Sequence, residues 1–110
     1  MAYDDDLADR VRIAIGDRDG VTEKRMFGAL GFLVNGNLAV SASSQGGLMV
    51  RVDPSDLDSL LAEEGVSPFE MRGRSMTGWL HVDASAATSD ADIDRWVAVG
   101  VDYAGSLPPK

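Results

Sequence analysis

The sequence of 110 residues has no cysteine and a single histidine, His81. The first absence excludes a disulfide framework, a thiol nucleophile and a Cys-ligated zinc site, and it fits a reducing compartment. The second excludes a zinc site built from histidines. No apolar run approaches the ~20 residues needed to cross a bilayer. The N-terminal MAYDDDLADR is acidic where a signal peptide would be basic, and no apolar stretch follows it. Basic residues are scarce: 10 Lys and Arg stand against 18 Asp and Glu, for a net charge of −8 and a pI near 4.4. Such a chain repels nucleic acid and anionic membrane on average. There is no G-x-S-x-G elbow, no phosphate loop of the G-x-x-x-x-G-K-[ST] type, and no G-x-G-x-x-G after a strand. Internal repeats, low-complexity tracts and linkers are also missing.

What is present is an ordinary globular composition, 45% hydrophobic and 25% charged. A chain of this size folds as one unit, so a single domain over residues 1–110 is expected.

Three helices are expected. Leu7, Val11, Ala14 and Ile15 share one face of a helix from about Asp5 to Gly16. Asp4, Asp5 and Asp6 lie at its positive end, and Gly16 can close it. Asp53-Pro54 should open a second helix, because Asp caps well and proline loses nothing at the first position. Its buried stripe is Leu57, Leu60 and Leu61, and Gly65 ends it. The third helix begins at Ser89 and buries Ile93, Trp96, Val97, Gly100, Val101 and Ala104. A glycine at Gly100 weakens a helix by ~1 kcal/mol relative to alanine, which suggests a close backbone approach there.

The remaining segments are expected as strands: 21–27, 30–34, 38–43, 48–52, 69–72 and 78–82. Asn35-Gly36 is a strong hairpin signal because both residues tolerate positive φ. Leu38, Val40 and Ala42 should lie on one side of their strand. Leu48, Val50 and Val52 should oppose Met49 and Arg51. Residues 73–77 are read as the connection between the last two strands. Short turns force consecutive strands to run antiparallel. The fold class is therefore α+β, an antiparallel sheet with helices packed on one face, in the order α, three or four strands, α, two strands, α.

No catalytic constellation, metal set or cofactor motif emerges, and none is expected. His81, between Leu80 and Val82, points away from its apolar neighbours and is read first as a strand histidine. Asp90, Asp92 and Asp94 resemble the start of a calcium loop, but Arg95 stands where the loop needs glycine and Val101 where it needs glutamate. The positive charge is more informative. Lys24, Arg25, Arg51, Arg72 and Arg74 all fall in the sheet region or its turns. Met26, Phe27, Met49, Met76 and Trp79 fall in the same segments. Arginine forks suit carboxylate or phosphate, and methionine-rich surfaces adapt to partners. These ten residues are the candidate interaction surface. A sheet face left without helices has apolar area to hide, so a homodimer is expected.

The segment EKRMFGALGFLVNG carries a resemblance. Lys24-Arg25-Met26-Phe27-Gly28, Gly31-Phe32, Asn35-Gly36, Leu48-Met49-Val50-Arg51-Val52, Arg74-Ser75-Met76-Thr77-Gly78-Trp79 and the Trp96 helix ending in Ser106-Leu107-Pro108-Pro109-Lys110 together resemble the N-terminal domain of the TfoX/Sxy family of bacterial competence regulators. The resemblance covers nearly the whole chain. It implies the helix-on-sheet fold, a cytoplasmic bacterial protein, and a role in transcriptional regulation through a protein partner such as an activator. It implies no catalytic residues. Full-length competence regulators carry a second, C-terminal domain, and this chain ends where the first is expected to end. The alternative reading is a small-ligand-binding protein or minor enzyme using the arginines and His81.

Overall fold

The computed structural model describes residues 3–26, 28–43, 46–71 and 73–109, with the side chains of all but Met26, Met71 and residues 74–77. Its elements in chain order are α1 (Asp5–Ile15), β1 (Val21–Met26), β2 (Ala29–Val34), β3 (Asn37–Ala42), β4 (Leu48–Arg51), α2 (Leu57–Leu61), β5 (Val66–Met71), β6 (Arg74–Val82) and α3 (Asp90–Ser106). The strands form one antiparallel sheet in the order β1-β2-β3-β4-β6-β5. This is the expected α+β architecture. β6 enters the sheet between β4 and β5, so the chain crosses from β4 through α2 to the far edge and then returns.

The helix ends follow the local chemistry. The Asp4 carboxylate accepts from the N–H groups of Asp6 and Leu7, and Gly16 closes α1 at φ +59°. The Ser89 hydroxyl accepts from the Asp92 N–H to cap α3. The second helix departs from expectation. Asp53 caps a 3-10 turn, Pro54–Asp56, and the α-helical part is only Leu57–Leu61. Its leucines are half-buried, so this short element is held by packing on β5 rather than by a deep apolar stripe.

Asn35 (φ +52°) and Gly36 (φ +86°) make the β2–β3 turn, as the Asn-Gly pair requires. The strand β3 differs from simple alternation. Leu38 pairs with Leu33 while Val40 pairs with Phe32, so Ala39 is an extra residue and the ladder bulges. Val40 and Ala42 are buried, but Leu38 lies half-exposed on the opposite face. The expected connection at 73–77 is also corrected. Residues from Arg74 onward belong to β6 and pair with β5 from Met71↔Arg74. A hairpin this tight lets the strand start immediately after the turn, and a register shift between Pro68 and Glu70 absorbs the mismatch.

One core cluster unites the buried faces. Leu7, Val11 and Ile15 of α1 and Ile93, Trp96, Val97 and Val101 of α3 meet Phe32, Val40, Leu48, Val50, Leu80 and Val82 of the sheet. α1 and α3 also pack on one another, and Leu57, Leu60 and Leu61 of α2 join the same core. All three helices thus cover one face of the sheet.

Bidentate ion pairs fasten the rim. Arg12 donates to both oxygens of Glu23 (2.7 and 2.9 Å). Arg95 donates to both oxygens of Glu63 (2.6 and 2.5 Å). The arginine hydrogen bonds hold both glutamates below their ordinary 4.5. As pH falls, the unfolded chain therefore takes up protons before the folded one. Stability is full above about 4.5 and is lost as pH drops through the lower folded values. Both pairs are solvent-exposed, so each contributes no more than ~1 kcal/mol. A melting-temperature series from about pH 6 to pH 3 should fall on the acid side. Glu63→Gln should flatten that fall; an unchanged slope would show that the Arg95 pair carries none of it.

Candidate functional site

The face of the sheet opposite the helices is defined by alternation. Leu48, Val50, Leu80 and Val82 are fully buried toward the helices, so Met49, Arg51, Trp79 and His81 between them point the other way. The sequence anticipated this alternation for Met49, Arg51 and His81. The pairing registers extend it across the whole sheet. Lys24 pairs with Gly31, Gly31 with Ser41, Ser41 with Met49, Met49 with His81, and His81 with Ser67. These six residues form one continuous row from edge to edge. Gly31 and Ser41 at its centre are small and buried, which makes the row shallowest there.

Beside the row, Arg51 and Trp79 are register partners, and the guanidinium carbon lies 5.3 Å from the indole ring centroid. A cation over the indole face at that distance is a favourable contact, worth ~0.5–1 kcal/mol at a partly exposed site. Toward β1, Leu33 and Leu38 face one another across the β2–β3 pair and are half-exposed. The face thus presents two leucines, a methionine, an indole and the cations of Lys24 and Arg51.

Its charge is set apart from the rest of the molecule. Within strands the only carboxylates are Glu23 and Glu70. Glu23 points to the helix side, where Arg12 holds it. The row and the Arg51–Trp79 pair contain none. Every aspartate lies in a helix, a cap or a connection. The Asp90 and Asp92 that mimic a calcium loop sit in the first turn of α3, where Asp90 pairs with Arg10 at 3.0 Å. Among the described residues, no group of three or more His, Asp or Glu is arranged to hold a metal ion.

The ten residues singled out from sequence are thus distributed as follows. Met49, Arg51 and Trp79 come together on the helix-free face, and Lys24 joins them at the β1 end of the row. Arg25 alternates to the other side of β1. Met26, Arg74 and Met76 take strand positions, and their side chains are outside the described set. Phe27 and Arg72 lie outside the described residues. Sequence reasoning missed Leu33, Leu38, Gly31 and Ser41. Leu38 reads as sharing a side with Val40 and Ala42 until the bulge turns it outward, and no local signal announces a bulge there.

At the β5 edge, a shallow cleft of about 310 Å³ is lined by Ser67, Pro68, Phe69, Glu70 and His81. Among the described residues, the Nδ1 of His81 is buried with no hydrogen-bond partner. Among the described residues, no helix is long and apolar enough to cross a membrane.

A family model described as the TfoX N-terminal domain matches residues 14–104. No curated protein and no solved structure matches the chain.

Proposed function

The chain belongs to the TfoX N-terminal domain family, and from that premise we propose that it is a non-enzymatic interaction module of the cytoplasm that binds a protein partner in transcriptional regulation. The observation that carries the reading is the helix-free sheet face. It combines half-exposed apolar side chains, an Arg51–Trp79 stack and the cations of Lys24 and Arg51 in a molecule whose net charge is −8. Tryptophan and arginine are the residue types that most often dominate binding energy in interfaces. A partner presenting carboxylates beside apolar side chains fits this surface best.

The test is affinity capture with candidate transcription activators, comparing the wild type with Arg51→Glu and Trp79→Ala. Asp58→Arg, on the helix side of the molecule, serves as the charge-change control. The two face variants should weaken capture ~10-fold or more, in line with interface hot spots, while the control retains it. Equal recovery by all four proteins would remove this face as the interface. Labelled DNA and RNA should show no salt-sensitive binding to the wild type at micromolar protein, because the basic footprint is too small.

A second reading has one specific support, the unpartnered Nδ1 of His81 beside the Ser67–Glu70 cleft. A small polar ligand donating to that nitrogen would raise the melting temperature of the wild type in a metabolite screen and leave His81→Phe unmoved. A flat screen sinks it.

A further inference from the structure

The two edges of the sheet are not alike. At β5 the edge is interrupted by Pro68, which has no N–H, and by the register shift next to it. At β1 the edge has no proline, and residues 22–25 are all exposed. The Asn35 N–H donates to the Gly20 carbonyl at 2.9 Å, and Gly20 and Asn35 continue the β1–β2 register outward from Val21↔Val34. Ladder bonding alternates, so Thr22 and Lys24 bond inward to β2. The N–H and C=O groups of Val21, Glu23 and Arg25 therefore point out of the sheet, toward open solvent.

The side chains along this edge are self-complementary. Glu23 and Arg25 lie on the same face of β1, two residues apart, with Lys24 between them on the other face. A second β1 placed antiparallel about a two-fold axis through Lys24 puts Glu23 opposite Arg25 of the copy, and Arg25 opposite its Glu23. These are also the residues whose backbone groups point outward, so each Glu23–Arg25 pair coincides with a hydrogen-bonded pair of the new ladder. Arg12 already orients the Glu23 carboxylate. The one opposed contact is Lys24 against Lys24, on the helix-free face, where long stems let the ammonium groups diverge into water.

We propose that two copies of this chain join β1 to β1 in this register, making one continuous antiparallel sheet. The two-fold axis stands perpendicular to the sheet, so both helix-free faces lie on the same side. The dimer would present two copies of the Arg51–Trp79 surface in one plane, a bivalent arrangement for any partner with repeated sites. This proposal does not depend on what that surface binds.

Sedimentation of the full chain up to ~1 mM tests it, since a short two-strand interface gives a weak, concentration-dependent dimer. Arg25→Glu sets carboxylates against Glu23, and Glu23→Arg sets guanidinium groups against Arg25. Each variant alone should raise the dissociation constant ~10-fold or more, because two attractive pairs become repulsive. Mixing the two variants should recover the dimer to near the wild-type constant, since both cross-strand pairs are then opposite in charge. Lys24→Thr should tighten the wild-type dimer by relieving the central repulsion. Circular dichroism of each variant confirms that the fold is kept. A wild type that stays monomeric to the highest concentration overturns the proposal. So does a dimer indifferent to both charge changes, or a mixture that fails to associate. Variants on the helix-free face away from β1, such as Trp79→Ala on β6, should leave the dimer unchanged, which separates this interface from the partner-binding one.

Discussion

Replacing Trp96 with alanine is expected to lower the free energy of unfolding by ~3–5 kcal/mol. Trp96 is 2% exposed and heads the fully buried side chains of the molecule by size. It lies on the face of α3 that meets the sheet, within the one cluster that also holds α1. Truncation removes the largest single block of buried apolar surface. It also leaves a cavity bounded by secondary structure on both sides, which cannot collapse freely. A further contact is lost outside the core, because the Arg95 guanidinium stands 4.5 Å from the Trp96 ring centroid while holding Glu63. Domains of this size have ~5–15 kcal/mol of stability in total, so the variant should sit close to unfolding at 37 °C. Urea denaturation followed by circular dichroism gives the number, with the midpoint falling and the slope unchanged. Trp96→Phe, which keeps most of the volume, should lose less than half as much. A loss below ~1 kcal/mol for the alanine variant would mean that α3 is not anchored where the core places it.

Two glycines of α3 should respond to substitution with opposite signs. A Cβ at Gly100 would stand 2.5 Å from the carbonyl oxygen of Ala39 and 3.4 Å from Cγ1 of Val50. The first of these is backbone in the middle of the sheet, and it cannot swing aside as a side chain can. Gly100→Val is expected to cost ~2–4 kcal/mol, since overpacking outweighs the gain of under ~1 kcal/mol in helix propensity. At Gly105 the nearest atom to a built Cβ is Cγ1 of Val34 at 3.7 Å, an ordinary contact. Gly105→Ala should therefore stabilise the chain by up to ~1 kcal/mol. Chemical denaturation of both variants checks the pair. Equal and opposite-to-expected shifts at Gly100 would show that α3 does not ride on the β3 backbone.

Gly100 also shows how far a sequence can be read. Its position on the apolar stripe of a helix, where glycine is unfavourable, already indicated a close approach. Only the fold identified the approaching group as the Ala39 carbonyl at the β3 bulge. The candidate site was legible in the same partial way. Alternation from Leu48 to Val52 placed Met49 and Arg51 together on the face away from the core. On β6, His81 between Leu80 and Val82 was legible as pointing away from its apolar neighbours, whereas Trp79 stood out by residue type alone. That Arg51 should stack on Trp79 was not legible, because 27 residues, with α2 and β5 among them, lie between the two.

By itself the sequence determined what depends on neighbours a few residues apart. The Asp4 and Ser89 caps, the stop at Gly16, the Asn35-Gly36 turn and the two-residue alternation of β4 are all set by side chains bonding or clashing with their own backbone. Tertiary structure decided what depends on which segments meet. It placed β6 between β4 and β5, cut the second helix to Leu57–Leu61, and turned Leu38 out of the core through a bulge. It also aligned Lys24, Gly31, Ser41, Met49, His81 and Ser67 into one row on the bare face. Each of these outcomes is a choice among pairings of similar local cost. The choice is made by how much apolar surface the whole sheet can bury against α1 and α3, a quantity that no single stretch of the chain contains.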